Sequence, residues 1–141
     1  MNAAVAAAIA AVFVWLGMVL AISFIETPLK FRAPGVTLQI GLGIGRLVFR
    51  ALNACELGLA AVVVACFALT PPTTFAAVAM AVAVITLLAQ VLAVRPRLTR
   101  RSNAVLAGGE GPRSHAHWAY VGLEIVKVIA LLIAGISLLV T

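Results

Sequence analysis

Four polar side chains lie within a stretch of the chain that is otherwise apolar. They are His117, Tyr120, Glu124 and Lys127, separated in turn by three, four and three residues. In a helix, which turns by about 100° per residue, these spacings keep all four side chains on one face. Imidazole, phenol, carboxylate and ammonium groups that share a face can pair as ions, relay protons or bind a small ion.

A second polar stripe lies earlier in the chain, between residues 46 and 56. Arg46, Arg50 and Asn53 fall on one helical face, and Glu56 lies one step round from them. A third apolar stretch carries the amide of Gln90. If these stretches span a membrane, their polar faces are expected to turn away from lipid and toward one another.

Glu56 and Lys127 are expected to form an ion pair. Each lies about ten residues, or roughly 15 Å, from the polar end of its own segment, which is near the middle of a bilayer. A charge left unpaired at that depth costs at least ~2.5 to 3.5 kcal/mol. Glu124 lies one helical turn from Lys127 and can bond it along the helix, or bond Arg50 on the second segment.

The sequence therefore predicts one buried polar cluster shared by several helices. Its predicted members are Arg50, Asn53, Glu56, Gln90, His117, Tyr120, Glu124 and Lys127. Two interpretations stay open. In one, the cluster lines a polar cavity that binds or transports a small ion, a proton or a small solute. In the other, it is an ion-pair network that fixes helix packing in an accessory or structural subunit. A water-lined cavity would favour the first, and side chains sealed against one another would favour the second.

The elements that would position these side chains are four apolar segments. Of the 141 residues, 65% are hydrophobic and 10% charged, and the mean hydropathy is +1.21, which excludes an ordinary soluble domain. Each segment is near the ~20 residues that cross a bilayer as a helix. We predict an all-α fold, a membrane-spanning four-helix bundle forming a single domain over residues 1–141, with a short interfacial segment between helices one and two. The predicted helices cover residues 2–25, 45–69, 74–94 and 116–140.

The basic residues indicate how the chain is oriented. The predicted connections 26–44 and 95–115 hold most of the lysines and arginines, whereas the third connection and both termini carry no charged side chain. The positive-inside rule then places both connections in the cytoplasm and both termini outside the inner (plasma) membrane. The net charge of +6 indicates contact with anionic lipid headgroups, and not with nucleic acid, because no aromatic residues are interleaved with the basic ones. Lys30, Arg32 and Arg46 are the candidate contacts with lipid phosphate.

Proline and glycine predict where the helices end or bend. Pro28 follows the first segment and Pro96 is expected to end the third, because proline lacks the backbone N–H and its ring clashes with the carbonyl four residues earlier. Residues 41–46, GLGIGR, are expected to bend the chain or to allow a close helix approach where the interfacial segment enters helix two.

No catalytic, cofactor-binding or metal-binding set is predicted. The chain contains no Asp, no HExxH motif and no complete phosphate loop. His115 and His117 would point about 200° apart on a helix, so they do not form a metal pair there. An enzyme that acts on a lipid or quinone through His117, Tyr120 and Glu124 stays open as a third alternative. With only four helices, a transport protein would assemble as a homo-oligomer, and an accessory subunit would join a larger membrane complex.

About a quarter of the chain resembles hypothetical integral membrane proteins of bacteria. These carry a Glu-x-Pro-x-Lys-Phe element after helix one and an IGLGIGRLVF element entering helix two, and the matching string here, residues 24–56, is FIETPLKFRAPGVTLQIGLGIGRLVFRALNACE. More distantly, the plan resembles the uncharacterised four-helix bacterial family related to the human transmembrane protein linked to cisplatin tolerance. The resemblance implies a four-helix inner-membrane protein and brings no catalytic residues with it. The fourth segment is richer in ionisable groups than the distant family leads us to expect.

Overall fold

The protein forms four long helices in the computed structural model, which describes residues 1–108 and 116–141. They are α1 (Ala3–Lys30), α2 (Leu38–Leu69), α3 (Thr74–Leu106) and α4 (Ala116–Val140). No strand occurs in this part of the chain. Each helix is long and apolar enough to cross a membrane, which confirms the predicted all-α four-helix class. His115 falls outside the described residues.

Short polar side chains begin three of the helices. Asn2, Thr37 and Thr73 each accept a hydrogen bond from the backbone N–H three residues further on. These bonds satisfy donors that the first turn of a helix leaves free. Pro71 and Pro72 keep α2 from continuing, so α2 and α3 are joined by residues 70–73 alone.

The bundle consists of two helical hairpins. α1 packs against both α2 and α4, whereas α3 packs mainly against α4. α2 and α3 are consecutive in the chain but touch little along their apolar parts. The shared core is built from small and branched side chains, among them Ala8, Val12, Val63, Leu131 and Ala134. The hairpins α1–α2 and α3–α4 are therefore held together chiefly where α1 meets α4.

The two ends of the bundle differ in charge. At one end, Asn2 Nδ2 donates to Thr70 Oγ1 over 3.0 Å, and Met1 and Thr141 line a cavity beside the same turn. Both chain termini and residues 70–73 thus form what we call the uncharged end. The opposite end, which we call the basic end, holds the connection between α1 and α2 and the arginines of the segment Arg95–Leu106.

Pro96 does not end α3, so that prediction is wrong, whereas α1 does end close to Pro28, two residues later at Lys30. In each case the helix widens into a π turn just before the proline, over Leu20–Glu26 in α1 and over Gln90–Val94 in α3. A π turn bonds each N–H to the carbonyl five residues earlier, as Arg95 N–H does to the carbonyl of Gln90. The additional residue moves aside the carbonyl that the proline ring would strike. α3 therefore continues past the predicted boundary at residue 94 for 12 more residues.

The glycines of GLGIGR do not bend the chain either. α2 is one continuous helix from Leu38, and the connection before it is only residues 31–37. The predicted start at residue 45 is therefore too late. A Cβ added at Gly41 would strike the ring of Phe31, so close packing at this glycine and the Thr37 cap offset the low helix propensity of glycine. Of the two predicted roles, close approach is the one observed.

Candidate functional site

Lys127 lies at the centre of a buried polar network. Its Nζ is 2.5 Å from Glu56 Oε2 and 2.6 Å from Glu124 Oε1, and it donates to Gln90 Oε1 over 2.8 Å. The three donors of the ammonium group thus have acceptors on α2, on α3 and on α4 itself. The predicted pair between Glu56 and Lys127 is confirmed, and Glu124 bonds Lys127 along its own helix.

Glu56 is held by three donors. Besides Lys127, Trp15 donates from its indole Nε1 to Glu56 Oε2 over 2.7 Å. Asn53 Nδ2, one turn earlier on α2, donates to Glu56 Oε1 over 3.1 Å. An indole N–H and an amide N–H can only donate, so every contact of this carboxyl group suits its ionised form.

Glu124 also has three partners, but one of them can reverse its role. Gln90 Nε2 donates to Glu124 Oε1 over 3.3 Å, and Lys127 contacts the same oxygen. The other oxygen, Oε2, accepts a hydrogen bond of 2.7 Å from the hydroxyl of Ser23. A hydroxyl group donates or accepts, so the contact with Ser23 suits either the ionised or the protonated carboxyl group.

The two π turns supply side chains to this carboxylate. Ser23 lies within the π turn of α1, and Gln90 begins the π turn of α3. Gln90 Nε2 also donates to the backbone carbonyl of Tyr120 over 3.3 Å. The widened turns therefore do two things, since they let the helices pass a proline and they direct a polar side chain at Glu124.

Asn53 and Arg95 extend the network toward the basic end. The guanidinium group of Arg95 donates through Nη1 to Asn53 Oδ1 and through Nη2 to the backbone carbonyl of Arg46 over 3.3 Å. Asn53 Nδ2 also reaches Tyr120 Oη at 3.5 Å, and the ring of Tyr120 packs edge-on against Phe49 with centroids 5.8 Å apart. Asn53 thus bridges a half-buried cation and a buried carboxylate.

The centre of the network is closed to solvent. Lys127, Glu56 and Gln90 are 0% exposed and Glu124 is 1% exposed. The cavity of about 240 Å³ at the uncharged end is lined by Met1 and by residues around the 70–73 turn, and it does not reach these side chains. Of the two arrangements considered from the sequence, side chains sealed against one another are the one observed.

The network lies in the basic half of the bundle. Glu56 is 13 residues from Leu69, and Lys127 is 13 residues from Val140, which is about 20 Å in each case at 1.5 Å per residue. Measured from the uncharged end, this level is roughly two thirds of the way across a hydrocarbon layer of ~30 Å. Between the network and the uncharged end the core is almost wholly apolar.

Six of the eight predicted cluster residues come together, and two do not. Asn53, Glu56, Gln90, Tyr120, Glu124 and Lys127 are all buried in the network. Arg50 is exposed at the basic end, because Arg95 occupies the position beside Asn53. His117 is also exposed, since it lies at the very start of α4, where its ring meets Trp118 edge-on at 5.5 Å. The proposed set of His117 with Tyr120 and Glu124 is therefore not assembled.

Three members of the network were missed at the sequence level. The predicted cluster omits Trp15, although a buried indole N–H needs a hydrogen-bond acceptor. It also omits Ser23, because a π turn cannot be foreseen from spacing counted at 3.6 residues per turn. Arg95 was assigned to a loop, because Pro96 was expected to end the helix.

The candidate lipid contacts differ in their surroundings. Lys30 pairs with Glu26 at 3.8 Å, and its side chain is only 6% exposed; its Nζ lies 5.3 Å from the ring centroid of Phe31. Arg32 and Arg46 are both exposed. Only the two arginines have the open surroundings that a lipid phosphate requires.

No protein family, curated protein or solved structure matches this chain in the three comparisons made. The resemblance of residues 24–56 to bacterial membrane proteins therefore stays a prediction. The function has to be argued from the network itself.

Proposed function

We propose that this multi-pass membrane protein binds and releases a proton at Glu124, exchanging it with the basic end of the bundle. Of the ligands considered from the sequence, a hydrated ion or a small solute needs an open volume. The network of Glu56, Glu124 and Lys127 offers none, because its side chains fill the space between them. The sealed side chains favour the structural interpretation over an ion or solute site, but a proton needs no cavity, so a closed network is also compatible with proton binding.

The charge of the network favours this proposal. Two carboxyl groups share the single ammonium group of Lys127, so the three side chains together carry one excess negative charge when all are ionised. Arg95 approaches only as far as Asn53. Because a net charge is expensive in a medium of low dielectric constant, one bound proton would bring the group of three to neutrality.

The contacts of Glu124 can accommodate a proton, whereas those of Glu56 cannot without losing a donor. Glu56 faces Trp15, Asn53 and Lys127, all of which present N–H groups. A proton on Glu56 would therefore displace one of these donors. A proton on Glu124 Oε2 can be received by Ser23, whose hydroxyl group turns from donor to acceptor at the same 2.7 Å separation. This reversible contact is the observation that carries the proposal.

Ser23 also offers the route of exchange. It is half-buried, and it lies 20 residues from Ala3, or about 30 Å along α1, which is near the basic boundary of a hydrocarbon layer. Toward the uncharged end, by contrast, the core packs Val12, Val63 and Leu131 without exposure. Exchange through Ser23 would therefore take place at the basic end only, and transfer across the membrane would need a second conformation.

The proposal is tested by infrared titration of the protein in lipid films. A protonated carboxyl group gives a C=O stretching band that an ionised one lacks, so the wild-type protein should show one buried carboxyl group titrating. Glu124→Gln keeps the shape and the contacts with Ser23 and Lys127, and it should remove that band. Glu26→Gln, at the edge of the bundle, is the matched control and should leave the band in place. A wild-type titration curve in Glu124→Gln would refute the proposal.

The second candidate is a structural or accessory subunit, in a homo-oligomer or a larger membrane complex. The observation in its favour is that the closed network joins all four helices through Trp15, Glu56, Gln90 and Lys127. This function predicts a stoichiometric partner after extraction in mild detergent, and no titrating band. The infrared experiment therefore separates the two candidates.

The orientation belongs to the same proposal, with the basic end in the cytoplasm of the inner membrane and both termini outside. In a Cys55→Ala/Cys66→Ala background, Thr73→Cys should react with an impermeant maleimide on intact cells. Arg97→Cys should react only after the cells are opened. The reverse pattern would invert the topology.

A further inference from the structure

Three arginines converge at the basic end: Arg95 is the outermost member of the network, and Arg46 and Arg50 lie outside it. Arg46 and Arg50 lie one turn apart on α2 and are both exposed. Arg95 comes from α3 and donates to the backbone carbonyl of Arg46 and to Asn53 Oδ1. Its guanidinium group therefore lies along the face of α2 that carries the other two arginines, and their positive charges act on it unfavourably.

The acidic residues that the structure describes do not balance this cluster. The whole chain has four acidic residues, and no Asp is among them. Glu26 pairs with Lys30, and Glu56 and Glu124 share Lys127. Glu56 also acts on Arg95 from beyond Asn53, but it is enclosed by its three donors. Within residues 1–108 and 116–141 no carboxylate pairs with any of the three guanidinium groups; Glu110 lies outside these ranges.

The three arginines also lie within about one helical turn of the same level. A helix needs ~20 residues to cross a hydrocarbon layer. Twenty residues counted from the uncharged end of each helix, at Leu69 in α2 and Thr74 in α3, reach about residue 50 and residue 94. Arg50 and Arg95 are thus at the boundary with the lipid headgroups, and Arg46 lies one turn further out, about 6 Å. A guanidinium group can donate two parallel hydrogen bonds to the oxygens of one phosphate group, and it stays charged at any ordinary pH.

We propose that Arg46, Arg50 and Arg95 form a binding site for a phosphate-bearing anion. The proposal does not depend on proton binding at Glu124, because Arg46 and Arg50 do not touch the closed network and Arg95 reaches it only at Asn53. The set differs from the contacts expected from the sequence, since Arg50 and Arg95 take the place of Lys30 and Arg32. A phosphate held here bridges α2 and α3 at the end where Arg95 already crosses between them.

The test measures lipid binding to the purified full-length protein by native mass spectrometry in detergent. Phosphatidic acid is titrated against phosphatidylcholine, for the wild type and for Arg46→Gln/Arg50→Gln. The matched control is Arg97→Gln/Arg100→Gln, which removes the same charge from two exposed arginines outside the site. We expect binding of phosphatidic acid to fall about 30-fold in the first variant and by less than threefold in the control. An equal fall in both variants would show a general charge effect and overturn the proposal, as would no fall in either.

Two further measurements complete the test. Competition by inorganic phosphate at constant ionic strength identifies the source of the anion: displacement of the lipid indicates that free phosphate is accepted, and no displacement indicates a headgroup site. Arg95→Lys keeps the positive charge but loses the two parallel N–H donors of the guanidinium group. It should weaken the binding of phosphatidic acid, while the variant is extracted in detergent with the same yield as the wild type. Unchanged binding in Arg95→Lys would remove Arg95 from the site. Size-exclusion chromatography and thermal unfolding serve as the check that Arg46→Gln/Arg50→Gln leaves the fold intact.

Discussion

The ammonium group of Lys127 finds its acceptors on three helices and is closed to solvent. Glu56 and Glu124 both depend on this one cation. A buried ion pair gains little over apolar packing, but a buried charge that loses its partner is strongly destabilising. Removing the charge of Lys127 alone should therefore destabilise the protein strongly. Removing the charges of Lys127 and one carboxylate together should destabilise it less.

Lys127→Met should lower the free energy of unfolding by about 3 to 5 kcal/mol, because it leaves two carboxyl groups without their cation. Adding Glu56→Gln to the same variant should restore part of the loss. Lys30→Met, whose partner Glu26 is partly exposed at 3.8 Å, is the control and should cost less than either. Denaturant unfolding in detergent micelles measures all three, and an unchanged midpoint for Lys127→Met would contradict the network.

At the scale of the element, the two π turns allow α1 and α3 to pass their prolines and keep a polar side chain on the network. A π turn holds one residue more than an α turn. Removing that residue should therefore restore a regular helix without rotating the parts on either side of it. The proline forbids this restoration, because it would bring the ring back against a carbonyl group.

Deletion of Ala93, an exposed residue of the second π turn, should reduce the folded yield severely while Pro96 is present. Deletion of Ala93 together with Pro96→Ala should bring the yield close to that of the wild type. Deletion of Ala81 in the regular part of α3 is the control, and no change at Pro96 should rescue it. Size-exclusion chromatography in detergent measures the yields. A low yield of the variant that combines deletion of Ala93 with Pro96→Ala would contradict the idea that the π turn is one additional residue required by the proline.

The contact of α1 with α4 depends on a glycine. A Cβ at Gly135 would lie 2.7 Å from the ring of Phe13, so Gly135→Ala should destabilise the protein by roughly 1 to 3 kcal/mol. Gly122→Ala, on the same helix with nothing near the added atom, should be neutral or stabilising by up to about 1 kcal/mol. Thermal unfolding followed by circular dichroism compares the two variants, and equal midpoints would mean that the helices are free to separate there.

For the whole molecule, composition and segment length were enough to predict four helices. The depth count was enough to predict that Glu56 meets Lys127, because both residues are measured from segment ends that a bilayer fixes. Those methods could not find Ser23 or Arg95. Each lies beside a π turn, and a rule that treats proline as a helix end cannot represent a helix that changes its pitch instead.

The two hairpins should assemble even when they are separate chains. Co-expression of residues 1–72 and 73–141 should give a complex that copurifies, since α1 and α4 share the core and the network. With Lys127→Met in the second fragment, the complex should be lost, while Lys30→Met in the first should leave it intact. Recovery of the Lys127→Met complex in full yield would show that apolar contact alone joins the hairpins.

The contact between Glu56 and Lys127 also bears on the order in which the helices are synthesised and inserted. Glu56 belongs to α2 and its cation to α4, which is synthesised later. While α4 is still being synthesised, the carboxyl group has only the donors of Trp15 and Asn53. The arrival of Lys127 with α4 completes these partners, so we expect the completion of α4 to be the step that makes insertion of the first hairpin permanent.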